Sequence, residues 1–239
     1  MIEKRLCAHL LRLIHQLDQQ RLGILMLSAS VHAVSLTDLS QQDTSSALKQ
    51  ALDQGIAMAV TELGKPGGFN SNPQVRIELP GNLAKVASSM KMMGMGGEVE
   101  QLENSMNKAA ELAVPQAKAL LTNAVSKMTL KDAKGILAGP DDAATQYLNK
   151  SSREQLRKSF LPIVKQATDK VGLAKQYNTF AGQAASFGVI PSKDANIENY
   201  VTEQALNGLF EIIAQEEGKI RQNPADAATQ LAKKVFSAQ

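Results

Sequence analysis

The stretch Ile197-Glu198-Asn199-Tyr200-Val201-Thr202-Glu203-Gln204-Ala205-Leu206-Asn207-Gly208-Leu209-Phe210-Glu211-Ile212-Ile213 decides the fold class. Ile197, Val201, Leu206, Leu209, Phe210 and Ile213 recur about one helical turn apart, so they share one face of a long helix. Asp194, just upstream, is its expected cap. Working back along the chain, the same signature repeats. Ser151 with Glu154 reads as a capping box opening Leu156, Phe160, Ile163, Val164, Ala167 and Val171, with Pro162 inside the run. Thr129 with Asp132 opens a short helix over 130–137, stopped by Gly139-Pro140. Val99, Leu102, Met106, Ala109, Ala110 and Leu112 form a longer face, which Pro115 kinks or divides before Leu120, Leu121, Val125 and Met128.

Upstream of these, Leu83, Val86, Met90 and Met93 make another face, ended by Gly94, Gly96 and Gly97. Asp43 or Thr44 caps a helix carrying Leu48, Leu52, Ile56, Val60 and Leu63, which Gly64 ends. Between these two, residues 65–73 hold three glycines or prolines in a row and cannot be regular. Val75, Ile77 and Leu79 then alternate with polar residues, which predicts an extended segment over 74–80. No second strand offers to pair with it, so it is expected to lie across helices. Pro224 begins a terminal helix. The expectation is an all-α, single-domain bundle of about seven to nine helices with one short extended segment, spanning 34–239.

The chain has 239 residues, 44% of them hydrophobic and 4% aromatic, with no Trp, so its core must come from Leu, Ile, Val, Met and Ala. Lys4, Arg5, Arg12 and Arg21 precede the short apolar run Leu22–Val31, and Val31-His32-Ala33 presents small residues at its end. This predicts a secretory signal peptide over 1–33, cleaved after Ala33, and a periplasmic protein; a mitochondrial presequence is the alternative. Arg12, His15, Asp18 and Arg21 interrupt any run long enough to span a bilayer. Residues 1–33 carry four basic side chains against Glu3 and Asp18, so without them the formal charge falls from +3 to +1. A near-neutral surface argues against nucleic acid as a partner.

Cys7, His9, His15 and His32 are the only cysteine and histidines, and all precede residue 34. After cleavage the chain would lack the side chains for Ser-His-Asp or Cys-His catalysis and for imidazole or thiolate zinc sites. Neither a metal nor a cofactor is expected. Gly64-Lys65-Pro66-Gly67-Gly68 lacks the end of a P-loop, and Gly94-Met95-Gly96-Gly97 lacks both the last glycine of a Gly-x-Gly-x-x-Gly fingerprint and a preceding strand. The run from Asp194 to Glu198 starts like a calcium loop, but Asn199 and Ala205 stand where glycine and glutamate are needed. Met90, Met92, Met93 and Met95 are soft enough for Cu(I) but read more simply as core and loop cover. Pro140 and Pro224 each open a Pro-x-Asp-Ala-Ala-Thr-Gln run, read as two convergent helix starts.

Carboxylate chemistry is what remains. Asp141, Asp142, Glu216 and Glu217 could supply an acid and a base, with Arg76, Arg221 or Tyr147 holding an anionic substrate. The plainer reading gives Asp141 and Asp142 to a helix dipole and makes Glu217 and Arg221 a helical ion pair.

Five stretches carry a family likeness: Asn72 to Pro80, Met128 to Leu137, Ala143 to Tyr147, Phe160 to Val164, and Tyr200-Val201 through Gly208-Leu209-Phe210 to Glu216–Arg221. Together they resemble the bacterial domain of unknown function family 4197, from about residue 35 to the end. Lys108 and Gly218 depart slightly from its pattern. The resemblance implies an exported helical protein and brings no activity with it. The leading expectation is therefore a non-enzymatic protein whose partner is a lipid, a small apolar ligand or an envelope protein. A carboxylate and arginine enzyme, or a structural module of an envelope assembly, are the alternatives.

Overall fold

The structure, a computed structural model, describes residues 40–80, 92, 96–169, 173–186, 191, 195–227 and 229–237. The expected targeting segment and the expected helix after Asn82 lie outside these residues. Among the described residues no strand occurs, and the chain is all-α over one unit, Val34–Gln239. The α-helices are α1 (Gln41–Gly64), α2 (Gly96–Ala113), α3 (Ala117–Ser126), α4 (Leu130–Leu137), α5 (Ala143–Thr168), α6 (Leu173–Ser186), α7 (Ile197–Gln222) and α8 (Gln230–Ser237).

The helix opened by the quoted stretch, α7, forms the centre of the bundle together with α1 and α5. It lies against α5, α1 and α2, and α8 returns to cover α1. Its buried face includes Ile197, Val201, Leu206, Leu209, Phe210 and Ile213, the residues whose spacing defines it. From α5 come Leu148, Leu156, Phe160 and Val164; from α1, Leu48, Ile56 and Leu63. Burying each such side chain contributes on the order of 1.5–3 kcal/mol. Pro115 divides the middle run as its ring requires: α2 ends at Ala113, a 3-10 turn covers Val114–Gln116, and α3 follows.

Four expected starts are corrected, the simplest being the terminal helix, which begins at Gln230 and not at Pro224. Ser40 caps α1, accepting from Asp43 N–H at 3.0 Å, while its hydroxyl donates to Asp43 Oδ2. Asp43 is thus the third residue of a reciprocal cap and not the cap itself. Asn196, and not Asp194, caps α7, accepting from Asn199 N–H at 2.8 Å; the second polar residue of the calcium-like run is spent on a helix end. Ser151 does not start a helix. It lies inside α5 and its hydroxyl donates to Tyr147 O, one turn back, because the apolar row continues upstream through Leu148 and Ala144. Pro162 is exposed in α5, so the carbonyl it leaves free faces water and the helix runs on. The Thr129 and Asp132 capping box of α4 stands as read. Its hydrogen bonds from Thr129, side chain first and backbone second, hold the Asp132 carboxyl below its ordinary pKa. The two Pro-x-Asp-Ala-Ala-Thr-Gln runs differ in structure: Pro140 precedes α5, whereas Pro224 opens a 3-10 turn ahead of α8.

Residues 65–80 form an irregular layer. Turns occupy the first part, and 76–80 is extended, with Val75, Ile77 and Leu79 buried in alternation. Two features seat this layer. Gly208 of α7 leaves room for it: a Cβ there would stand 2.9 Å from Phe69 Cε1 and 3.1 Å from Val75 Cβ. The Tyr200 hydroxyl donates to Glu78 O at 2.9 Å. Substituting Gly208→Val is therefore expected to destabilise the protein by about 1–3 kcal/mol through overpacking, read as a lower urea midpoint at unchanged slope. An unchanged midpoint would mean that the 65–79 layer does not press on α7.

Candidate functional site

The charged chemistry that the sequence offers converges at the corner between α4 and α5. Asp142 occupies the cap position of α5 but makes no capping bond, because its backbone sits at φ −111°, ψ 15°, outside the extended region that lets a cap side chain fold back. Its Oδ1 accepts from Gln146 Nε2 instead. The cap comes from another helix. Glu217 of α7 accepts from Ala144 N–H at 3.0 Å on Oε1, and from Thr145 N–H at 2.9 Å and the Thr145 hydroxyl at 2.8 Å on Oε2.

Arg221, one turn along α7, donates to the same Glu217 Oε1 from Nε at 3.2 Å and Nη2 at 3.0 Å. Nη2 also donates to Ile136 O in the last turn of α4, at 3.0 Å. The guanidinium lies 5.9 Å from the centre of the Phe236 ring of α8, within cation-π range. Both members of the pair are nearly sealed, with side chains 7% and 5% exposed for arginine and glutamate. One ion pair on α7 therefore closes the start of α5 to the end of α4.

Of the other candidates, only Asp141 shares this corner. Asp141 is exposed in the same corner. Glu216 faces beside Gly55 of α1 and accepts from Lys219 Nζ at 2.6 Å. That bond, with the charges of Glu216 and Glu62, raises the Lys219 pKa against a smaller opposing effect of burial. Tyr147 is half-buried; burial first, and the charge of Asp132 second, push its hydroxyl pKa up. Arg76 joins a separate group, its Nη2 3.5 Å from Glu103 Oε2 and its Nη1 donating to Asn70 O at 3.3 Å. So Glu217 and Arg221 meet at the turn that carries Asp141 and Asp142, while Arg76, Glu216 and Tyr147 do not share their partners. Asp194 and three of the four clustered methionines lie outside the described residues, and Met92 is 83% exposed. Among the described residues no group of three His, Cys, Asp or Glu is placed to hold a metal.

Counting apolar positions alone passes over a polar row on α2. Glu103, Asn107 and Glu111, spaced four apart, are all buried. Asn107 Nδ2 donates to Ile77 O at 2.8 Å and its Oδ1 accepts from Ile77 N–H at 2.8 Å, so one side-chain amide takes the place of a neighbouring strand. Glu111 Oε1 accepts from Phe69 N–H at 3.3 Å. Their regular spacing is the signal that could have revealed them, since a four-residue polar row inside an apolar helix has to be bonded to something.

The model of a family described as a protein of unknown function, DUF4197, matches residues 38–237. The chain belongs to this family. DUF4197 membership names no reaction, but three of the stretches that carry the DUF4197 likeness, around Ile136, Ala144–Thr145 and Glu217–Arg221, meet at the α4–α5 corner. No curated protein and no solved structure matches the chain. Among the described residues, no helix of this DUF4197 protein is long and apolar enough to cross a membrane.

Proposed function

We propose that the protein is exported to the bacterial envelope and works there by binding another protein at its surface, without catalysing a reaction. The observation that carries this reading is how Glu217 and Arg221 are used. The Glu217 carboxylate, a candidate acid or base, accepts five hydrogen bonds, and Arg221, a candidate anion holder, is committed to that carboxylate and to a helix-end carbonyl. A carboxylate so fully engaged serves as a cap, and a catalytic one needs a lone pair open to substrate. Nor is there room for an enclosed apolar ligand at the cavity beside this pair. Lined by Leu48, Leu52, Ile213, Ile220 and Phe236 among others, it holds about 10 Å³, at most one water. The basic and apolar run before Ala33 supports export.

Native mass spectrometry of the protein made with its own N-terminus and released gently from the periplasm tests this reading. The expected species begins at Val34 and carries no small-molecule adduct, while cross-linking in intact cells moves it to a discrete heavier complex. An unprocessed N-terminus would refute export. A stoichiometric lipid or small apolar adduct would refute surface binding.

A further inference from the structure

Beside the buried polar row of α2 lies an open cleft of about 440 Å³, within the range of ligand sites, between the 66–70 turn and the helix. Pro66, Gly67, Asn70, Asn104, Ser105 and Lys108 line it, with Glu111 behind. Gly67 shapes its wall with φ +81°, a conformation that side-chain-bearing residues rarely adopt.

Asn104 is the exposed counterpart of Asn107, one turn earlier on the same helix. Asn70 Nδ2 donates to its Oδ1 at 3.0 Å, which holds the amide in place. That leaves Asn104 with a second lone pair on Oδ1 and, among the described residues, an Nδ2 without a partner: one acceptor and one donor, the set by which Asn107 binds the N–H and C=O of Ile77. Asn70 holds it at a cost, since its own Oδ1 is buried with no partner, and the remaining packing of the turn must offset that. Lys108 follows four residues after Asn104, about 6 Å along the helix axis. Its side chain is 57% exposed and its Nζ forms a long ion pair with Glu111 Oε2 at 4.0 Å, too far for a hydrogen bond. Glu111 is tied by its other oxygen to Phe69 N–H.

We infer that this cleft binds an extended, acidic polypeptide segment. Asn104 pairs with one of its peptide groups, and Lys108 takes a carboxylate about two residues further on, the distance an extended chain covers at roughly 3.3 Å per residue. Asn70 is the positioning residue. This inference rests on the protein-binding reading above and names the surface and the partner chemistry.

The test is a titration of the 15N-labelled full chain, followed by NMR, with acetyl-Ala-Ala-Ala-Asp-amide, with the same peptide ending in Asn, and with sodium acetate. The expected result is saturable shifts at Gly67, Asn70, Asn104, Ser105 and Lys108 with the acidic peptide. Affinity should fall about tenfold or more for the Asn-ended peptide, for Lys108→Ala and for Asn104→Ala, both substitutions at exposed positions. Acetate acting as well as the peptide would reduce the cleft to a simple ion site and overturn the inference. So would shifts that survive both substitutions, or none at millimolar peptide. If the cleft stays silent while cells still yield a discrete cross-linked complex, the cleft is the wrong surface and the binding reading stands. If that complex is also absent, both fail.

Discussion

Glu217→Ala is expected to lower stability by about 3–5 kcal/mol, the usual result of leaving one member of a buried ion pair alone. For a chain of this size the melting temperature should fall by roughly 6–20 °C. Two costs combine. Arg221 keeps its place over Phe236 and beside Ile136 O but loses its carboxylate, and the Ala144 and Thr145 N–H groups lose their acceptor. Glu217→Gln should fall between wild type and alanine, because one acceptor oxygen remains while the charge is gone. The double substitution Glu217→Leu with Arg221→Met separates the costs. Removing both charges relieves the stranded arginine, yet the uncapped start of α5 should still cost about 1 kcal/mol. Thermal unfolding of the three variants reads all of this. Full recovery in the double variant would show that the carboxylate is not the cap of α5.

Asn107→Ala should cost about 3 kcal/mol, since it strands the N–H and C=O of Ile77 in a buried layer, each an orphan of about 1–3 kcal/mol before any relaxation. The effect should also be local. The Ile77 amide should exchange its hydrogen much faster, and protease should cut within 74–80 while the helices stay intact. Denaturant unfolding and hydrogen exchange measure the two together. A midpoint within about 0.5 kcal/mol of wild type would mean that the extended segment is held by its apolar residues alone.

The helices were legible wherever a single apolar face specifies them. The faces of α1, α3 and α7 follow the spacing of Leu48, Ile56, Leu121, Val125, Leu206 and Leu209, and α4 carries its own capping box. The start of α5 was misread because its cap is not local. Ser151 and Glu154 imitate a start, whereas the true one is secured by Glu217, a residue that no window around Ala143 contains. The extended segment was legible from alternation at Val75, Ile77 and Leu79, but its partner was not, since the spacing of Glu103, Asn107 and Glu111 marks a buried polar row without saying which chain segment it bonds. The candidate site was half legible for the same reason. Glu217 with Arg221 follows from their four-residue spacing. That this pair grips two other helix ends, and that Arg76 belongs with Glu103, depends on chain separated by tens of residues.

The long-range cap also sets an order of events in time. Thr129 and Asp132 are made together with α4, so that helix can close as soon as it is synthesised. Ala144 must wait for a carboxylate 73 residues downstream. At ribosomal speeds of roughly 5–20 residues per second, the first turn of α5 stays uncapped for about 4–15 s after it is made. The α4–α5 corner is thus closed late, by a residue of α7, and a nascent chain halted before residue 217 would present that corner open.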